Sequence, residues 1–404
     1  MVARTLGAVV VAVCATGSAV GASAPALKPI DPVALQAMVE GTAKELLLPG
    51  AMVLLNTPHG NFAFGYGTTE LGVTNPPRGD IHFRPASNTK TMTAAVIVQL
   101  IQEGKLSFDD LISKYVDGVP NGEQITIRQL IKMRSGLYNF TNAPELAESL
   151  DNNPDKAWTS QEVLAMAFKR PPHFAPGAEF EYNNTNYYLL GLVTEKIDGK
   201  PVATIFQERL FGPLGMKNTL LPVSTSNTIP EPYAHGYIYG GASYALVDAP
   251  YPDDLQAAAR AGTLKPDDET WQNPSAYFAA GGVISTADDL ATWMRALVGG
   301  QIFNADYKRQ WLDSPEAEDP SKPEGQKYGY GISLIAFGPN KIYFHGGEMP
   351  GYNSFMGHDP DNDVTLIVWT SLTLSLDGKP TANALMLKIL DQIYAVSPVT
   401  PAKR

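Results

Sequence analysis

The amino-acid sequence predicts a mixed α/β (α+β) protein in which one sheet is assembled from both ends of the chain. Strand-like segments lie within 51–68 and within 330–370, whereas the residues between them show mainly helical periodicity. Because strands from the two ends must share a core, the helical middle is expected to form an inserted lobe. We predict one domain over 25–397, with a sheet lobe at about 30–80 and 328–397 and a helical lobe at about 81–327.

The composition is that of an ordinary globular protein. Hydrophobic residues make up 44% of the 404 residues and charged residues 18%, which can fill a large core without a tract that suggests disorder. The net charge of -11 argues against binding to nucleic acid or to a membrane surface. A small-molecule or peptide substrate remains open.

The first residues have the pattern of a signal peptide. A basic residue at Arg4 precedes an apolar run from Leu6 to Ala15, and small residues follow up to Ala24. The run is shorter than the roughly 20 apolar residues that a bilayer crossing needs, and Gly7 interrupts it. We therefore predict a signal peptide at 1–24, no stable membrane span, and an exported protein that is secreted, periplasmic or associated with the cell wall.

Cys14 is the only cysteine of the chain. The residues before it loosely resemble a lipoprotein acylation site, but Val13 is bulkier than the small residue usual there, which disfavours a lipid anchor. Removal of the signal peptide would leave no thiol, and this excludes cysteine nucleophiles, disulfides and thiolate metal sites. At the other end, residues 398–404 are predicted to be a flexible tail.

The first predicted elements after the signal peptide are a helix and a hairpin. Asp31 and Pro32 are typical of a helix start, and apolar residues at helical spacing continue to Leu47. Two strands are then predicted at 51–57 and 61–68, joined by a short turn.

The middle of the chain is predicted to be mainly helical. Helical periodicity runs from Ser87 to Glu103 and ends at Gly104. Further helices are predicted after two capping boxes, Thr126 with Gln129 and Thr159 with Glu162, and at about 186–197.

The last part of the chain is predicted to hold a cleft wall and the remaining strands. Residues 221–277 are rich in Pro, Gly, Asp and Tyr with little periodicity, which is typical of functional loops. The other predicted elements are a helix capped by Ser285 and Thr286, strands at 330–336, 341–344, 352–357 and 364–370, and a last helix at about 381–394.

Several common catalytic and cofactor motifs are absent from the sequence. It contains no Gly-x-Ser-x-Gly elbow, no His-Glu-x-x-His zinc pair and no Walker loop. Its six histidines show no helical pair at metal-ligand spacing. We therefore expect neither a metal nor a cofactor.

Ser87 and Lys90 form the only Ser-x-x-Lys pattern of the chain. Residues three apart on a helix share a face, so the Lys90 side chain can reach the Ser87 hydroxyl. A helix N-terminus also favours negative charge on that oxygen. The alternative is a serine that caps a helix, followed by a solvated lysine.

Tyr182 and Asn184 belong to the only Tyr-x-Asn pattern, which precedes a predicted helix. A tyrosine buried near a lysine loses its proton more easily and can act as general base and then as acid. The alternative is an aromatic residue of the cleft, with Asn184 merely capping the helix.

His345, Gly346 and Gly347 follow a predicted strand. Small side chains there would let a substrate lie against the strand, whose N–H groups can stabilise an oxyanion while His345 supplies a polar or cationic group. The segment from Lys327 to Gly329 is a rival for this role, but its place at the start of a strand favours a structural lysine.

With these three motifs the sequence resembles the serine β-lactamase and penicillin-binding superfamily, specifically its class C branch with actinobacterial D-Ala-D-Ala carboxypeptidases. The similarity extends from about Phe83 to Phe355. Family-like segments are found at 83–90, 102–106, 134–137, 211–216 and 280–286. The resemblance implies an antiparallel sheet flanked by helices, a mostly helical second lobe, and a cleft between them where a serine is acylated and then deacylated by water.

The resemblance also implies roles for particular residues. They are Ser87 as nucleophile, Lys90 as its proton partner, Tyr182 as general acid and base, Asn184 as a contact of the substrate carbonyl, His345 as the third-motif residue, and Gly347 and Glu348 at the oxyanion site, where the N–H groups of Ser87 and Glu348 would act as donors.

Two departures from the family pattern concern the substrate. Asn183 and Gly346 replace the serine and threonine that the carboxypeptidases often have at the middle of these motifs. Ser333 stands where those enzymes have an arginine for the terminal carboxylate, and Glu348 follows the third motif. A free carboxylate beside Glu348 would be repelled unless Lys341 or another cation compensates.

The sequence therefore predicts a serine hydrolase that forms an acyl-enzyme on Ser87. The first interpretation is a D-Ala-D-Ala carboxypeptidase or penicillin-reactive peptidase of cell-wall metabolism. The alternative is an esterase, amidase or β-lactamase of the same superfamily, and a catalytically silent binding protein is disfavoured because the motifs are intact. The expected partner is a D-amino-acid peptide, a β-lactam or an ester, with no nucleic acid, and nothing in the sequence indicates an oligomeric state.

Overall fold

The computed structural model describes residues 27–247, 249–338 and 340–395. The predicted signal peptide at 1–24, Cys14 and the predicted tail at 398–404 lie outside these residues. Within them the protein combines helices with an antiparallel sheet, which confirms the predicted fold class. None of the helices in this part of the chain has both the length and the apolar character that crossing a bilayer requires.

The described residues contain one large sheet and one small one. The strands are β1 (Gly50–Thr57), β2 (Gly60–Gly67), β3 (Tyr237–Ile238), β4 (Asp267–Asp268), β5 (Glu316–Ala317), β6 (Lys327–Tyr328), β7 (Ser333–Phe337), β8 (Asn340–Met349), β9 (Tyr352–Asp359) and β10 (Val364–Thr370). The large sheet has eight antiparallel strands in the order β2-β1-β10-β9-β8-β7-β6-β5. The N-terminal hairpin thus pairs with the last strand, so the sheet is assembled from both ends of the chain as predicted.

Helices are the main regular elements between β2 and β5, and helices from both ends of the chain flank the large sheet. They are α1 (Pro32–Glu45), α2 (Thr89–Gln102), α3 (Ile127–Ile131), α4 (Pro144–Asn152), α5 (Ser160–Phe168), α6 (Asn184–Asp198), α7 (Val202–Phe206), α8 (Gly212–Leu214), α9 (Ala242–Val247), α10 (Asp253–Arg260), α11 (Phe278–Gly281), α12 (Ala287–Gly299), α13 (Ala305–Leu312) and α14 (Thr381–Ile393). Single 3-10 turns lie at Ala86–Asn88, Ile112–Lys114, Phe140–Asn142 and Pro274–Ala276, and a π-helical turn at Gln207–Phe211.

The predicted helix starts are confirmed at the caps. Asp31 accepts hydrogen bonds from the first N–H groups of α1. The capping boxes of Thr126 and Thr159 both form, and Thr286 caps α12. Each of these signals involves atoms at most three residues apart, which is why the sequence alone reveals them.

Both faces of the central strands are covered by helices. In β10, Ile367 and Trp369 belong to the core shared with the helical lobe, whereas Leu366 and Val368 belong to the core formed with α1 and α14. Successive side chains of a strand point to opposite faces, so a strand covered on both sides is apolar throughout. The continuous apolar run of β10 is the sequence signature of this position.

The segment 221–277 has more regular structure than its sequence predicts. It contains α9, α10 and a two-stranded antiparallel sheet of β3 and β4. These elements are two to eight residues long. Elements this short do not produce a clear periodicity, particularly among many Pro and Gly residues.

Candidate active site

Ser87 lies in the 3-10 turn that leads into α2. Ala86, the residue before it, has φ +48°, in the left-handed region. The turn is anchored to the sheet through Ser354 of β9, whose hydroxyl donates to the Pro85 carbonyl at 3.0 Å and accepts from Asn88 Nδ2 at 2.9 Å. The position of Ser87 is therefore set by residues more than 260 positions away in the sequence.

Lys90 lies one helical turn after Ser87 and is fully buried. Its Nζ donates to Ser87 Oγ at 2.9 Å, to Asn184 Oδ1 at 2.6 Å and to the Ala280 carbonyl at 2.7 Å. An ammonium group has three donors, and these three acceptors can use all of them. The alternative of a solvated lysine beside a capping serine is therefore wrong.

Tyr182 lies between Lys90 and His345 and lines the cleft. Its ring centroid is 4.9 Å from Lys90 Nζ and 6.2 Å from the centroid of the His345 ring. The residue that caps α6 is Asn183, which accepts from the Thr185 N–H at 2.9 Å. The alternative in which Asn184 merely caps the helix is therefore wrong.

Asn184 connects Lys90 to a turn that the sequence did not single out. Besides contacting Lys90, it donates from Nδ2 to Thr141 Oγ1 at 2.9 Å, and its N–H donates to Asn139 Oδ1 at 3.1 Å. Asn139 and Thr141 also line the cleft. Their importance arises from contacts across more than 40 residues, and no local pattern in the sequence marks them.

His345 is buried at the end of the cleft nearest β6. Its Nδ1 lies 2.6 Å from the Gly346 carbonyl, and its Nε2 lies 3.3 Å from the Tyr328 hydroxyl. The Gly346 carbonyl can only accept, so Nδ1 is the donor of this contact, whereas the Tyr328 hydroxyl beside Nε2 donates to the Tyr187 hydroxyl at 3.4 Å. The rival segment around Lys327 thus contributes a tyrosine that orients His345, and Lys327 itself does not line the cleft.

The second half of β8 has an open edge beside Ser87. β7 pairs with β8 only as far as Phe344, whereas β9 pairs with it as far as Met349. Beyond Phe344 the backbone of β8 is thus not paired with β7, which is the arrangement that strand-like binding of a substrate requires. Gly347 passes so close to the nucleophile turn that an added Cβ would lie 1.9 Å from the Pro85 carbonyl oxygen.

We expect Gly347→Ala to lower kcat by about 10²-fold, because the new methyl group forces β8 away from the nucleophile turn and misplaces the reacting groups. Gly346→Ala is the matched control, since a Cβ there would have no contact closer than 3.7 Å. Steady-state hydrolysis of a small ester by both variants provides the measurement. Equal losses in the two variants would contradict the proposed close approach.

The cleft is a cavity of about 230 Å³ between β8 and the helical lobe. Of the predicted site residues, Lys90 lies beneath it and the others line it, namely Ser87, Tyr182, Asn184, His345, Gly347 and Glu348. The segment 221–277 contributes Ala245, Leu246 and Tyr277 to the lining, as expected of a cleft wall.

The charges of the cleft differ from those of a site for a carboxylate. Glu348 lines it, and none of the described lining residues is a lysine or an arginine. Ser333 lines the cleft, whereas Lys341 is exposed on β8 outside it. Nowhere in the described residues do three or more His, Cys, Asp or Glu side chains cluster as a metal site would need.

A family model described as Beta-lactamase matches residues 35–391. The chain belongs to the β-lactamase family. The predicted superfamily of β-lactamases and penicillin-binding proteins is thereby confirmed, and members of this family are serine hydrolases.

Among solved structures, a D-stereospecific amidohydrolase from Streptomyces sp. is 27% identical, with a TM-score of 0.74 over 88% of this chain and 98% of that one. D-amino acid amidase from Ochrobactrum anthropi SV3 is 26% identical, with a TM-score of 0.72 over 89% and 98%. A penicillin binding protein from Bacillus halodurans, 23% identical with a TM-score of 0.69 over 87% and 98%, shares the fold.

Curated relatives of this chain include protein flp of Staphylococcus aureus (strain MW2). It is 26% identical over 348 residues, which are 84% of this chain. The chain spans only 62% of the length of that relative. An Escherichia coli (strain K12) protein, whose name provisionally assigns it D-alanyl-D-alanine carboxypeptidase activity, is 23% identical over 77% of this chain and 76% of its own length.

Proposed function

We propose that this chain is an amidase or esterase of small D-amino acid derivatives that works through an acyl-enzyme on Ser87. The observation that carries the proposal is the charge of the cleft, where Glu348 is present and the described lining contains no lysine or arginine. Such a cleft favours a substrate with a free ammonium group and an uncharged scissile group. It disfavours a peptide with a terminal carboxylate, whose charge would lack a partner.

The proposed reaction begins when Ser87 Oγ attacks the substrate carbonyl carbon. Lys90, at 2.9 Å from Oγ, holds the nucleophile, and Tyr182 takes its proton. The negative charge on the former carbonyl oxygen is stabilised by the N–H groups of Ser87 and Glu348, the second of which belongs to the segment of β8 with the open edge.

The tetrahedral intermediate then breaks its bond to the leaving group. Tyr182 returns the proton to the leaving nitrogen or oxygen, and an ester between Ser87 and the acyl group remains. Water attacks this ester by the reverse proton path and releases the acid and the free serine. Asn184 accepts a hydrogen bond from Lys90. In the proposed reaction it contacts a carbonyl group of the substrate.

The similar solved structures support the substrate class. Two of them are named as a D-stereospecific amidohydrolase and a D-amino acid amidase, and each matches nearly the whole of its own chain. The predicted signal peptide supports an exported enzyme. Every residue with a proposed catalytic role lies among the described residues. The substrate preference can therefore be measured with the purified protein.

D-Ala-D-Ala carboxypeptidase activity is the second candidate. The Escherichia coli relative supports it, and His345 is the one imidazole among the described residues that line the cleft. His345 is buried and contacts Tyr328 and Gly346, however, which leaves it little freedom to receive a carboxylate. We therefore rank the amidase or esterase first.

The proposal is tested by comparing kcat/KM for D-phenylalanine amide, its N-acetyl derivative and an acylated peptide ending in D-Ala-D-Ala. We expect the free amine to be the best substrate of the three. Glu348→Gln should lower kcat/KM for it about 10- to 100-fold, since a hydrogen bond to a charged group contributes about 1.5–3 kcal/mol. The same variant should leave the N-acetyl amide within a factor of about 3.

Glu123→Gln, which changes an exposed carboxylate outside the cleft, is the matched control. It should hydrolyse all three substrates as the unmodified protein does. Faster hydrolysis of the D-Ala-D-Ala peptide than of either amide would overturn the proposal in favour of the carboxypeptidase. If Glu348→Gln lowers kcat/KM equally for the free and the acetylated amide, Glu348 does not pair with the substrate ammonium group.

A further inference from the structure

A second cavity, of about 350 Å³, lies on the side of α11 away from the cleft. We call it the back pocket and define it by six of its lining residues, Trp158, Tyr188, Glu195, Val202, Leu221 and Phe278. Its size and mainly apolar walls are those of a small-molecule site. None of its lining residues lines the cleft.

The back pocket combines aromatic rings with one carboxylate. The rings of Tyr188 and Phe278 are 5.0 Å apart and tilted, and Trp158 is almost fully buried beside them. Lys156 Nζ lies 3.6 Å from the centroid of the Trp158 ring and 3.3 Å from Glu162 Oε1. The Trp158 ring therefore already contacts one cation, as an electron-rich aromatic face can.

Glu195 provides the charge of the back pocket. One carboxylate oxygen accepts from the Val202 N–H at 2.9 Å, which fixes the side chain at the pocket wall. Burial raises the pKa of this carboxyl above its usual range, and the hydrogen bond from Val202 offsets that effect only in part. An ammonium group at the second oxygen would stabilise the ionised form further.

We propose that the back pocket is a second binding site, for a small aromatic amine. The ring of the ligand packs among Trp158, Tyr188 and Phe278, and its ammonium group pairs with Glu195. Aromatic walls and a single half-buried carboxylate together select this class over a neutral or anionic ligand.

The short helix α11 is a wall shared by the back pocket and the cleft. Phe278 lines the back pocket, whereas Ala280 and Gly281 line the cleft. The Ala280 carbonyl accepts from Lys90 Nζ at 2.7 Å, so displacement of Phe278 by a ligand shifts an acceptor of Lys90. Phe278 has φ +40°, a conformation that a non-glycine residue holds only when its surroundings enforce it. Binding in the back pocket should therefore change kcat.

The test titrates 2-phenylethylamine into the protein and follows binding by tryptophan fluorescence and by calorimetry. We expect saturable binding that Glu195→Gln weakens about tenfold or more and that Glu123→Gln leaves unchanged. Ala203→Trp, which fills the back pocket from its rim, should abolish it. The uncharged analogue 2-phenylethanol should bind more weakly than the amine.

Binding in the cleft is the competing explanation and is separated by Glu348→Gln. If the amine occupies the back pocket, this variant retains its affinity, and the amine alters the kcat of ester hydrolysis. A purely competitive rise in KM, or affinity that is lost in Glu348→Gln and kept in Glu195→Gln, would overturn the proposal. Thermal unfolding of each variant shows whether it is folded. If the amine does not bind in the back pocket, the substrate comparison for the cleft is unaffected.

Discussion

Ser87→Ala protein is expected to lose all labelling by a fluorescent penicillin and by a fluorophosphonate, with kcat for amide or ester hydrolysis reduced at least about 10⁴-fold. The reason is that Ser87 Oγ is the hydroxyl in the cleft that Lys90 Nζ contacts, at 2.9 Å. Gel fluorescence after labelling and steady-state kinetics give the two measurements.

Ser333 provides the matched control for this experiment, because it is another serine that lines the cleft. It lies on β7, outside the nucleophile turn, so Ser333→Ala should still be labelled. Labelling that survives Ser87→Ala would overturn the assignment of the nucleophile. Labelling that disappears only in Ser333→Ala would identify Ser333 as the nucleophile.

Lys90→Met is expected to lower kcat about 10³- to 10⁴-fold. Methionine has a similar length and is apolar, so the variant keeps much of the packing but removes the donor from Ser87 Oγ, Asn184 Oδ1 and the Ala280 carbonyl. All three acceptors belong to residues that line the cleft, and leaving them unpaired costs about 1–3 kcal/mol each. Thermal unfolding should therefore show a lower midpoint alongside the kinetic loss.

Lys341→Met is the control for Lys90→Met, because Lys341 is exposed on β8 and does not line the cleft. It should keep the kcat and the unfolding midpoint of the unmodified protein. If Lys90→Met retains kcat within tenfold, the proton of Ser87 must be transferred without Lys90. The proposed division of roles between Lys90 and Tyr182 would then be wrong.

Most of the secondary structure could be predicted because its signals are local. The caps at Asp31, Thr126 and Thr159 act over two or three residues, and the strands at 364–370 and 51–57 are marked by their apolar runs. The short elements within 221–277 were not predicted, and neither the edge strand β5 nor its neighbour β6 was predicted as a separate strand. A two-residue strand exists only because a neighbour pairs with it, so its own sequence carries little information.

The catalytic motifs illustrate the same limit. Ser87 and Lys90 could be paired from helical spacing, since their contact crosses one turn of a helix. The role of Asn184 was left open between a substrate contact and a helix cap, because this residue precedes the predicted helix. The structure assigns the cap to Asn183 and places Asn184 on Lys90.

The sequence by itself predicted the fold class, and its resemblance to a known superfamily implied that Ser87, Lys90, Tyr182 and His345 belong to one site. Helix caps, apolar periodicity and short motifs could be recognised because they depend on neighbours along the chain. Only the tertiary structure decided what surrounds these residues. The anchoring of the nucleophile turn by Ser354, the orientation of His345 by Tyr328 and the charge of the cleft all depend on segments brought together by the packing of both lobes against one sheet. Such contacts join residues that the chain separates, so local sequence patterns do not encode them.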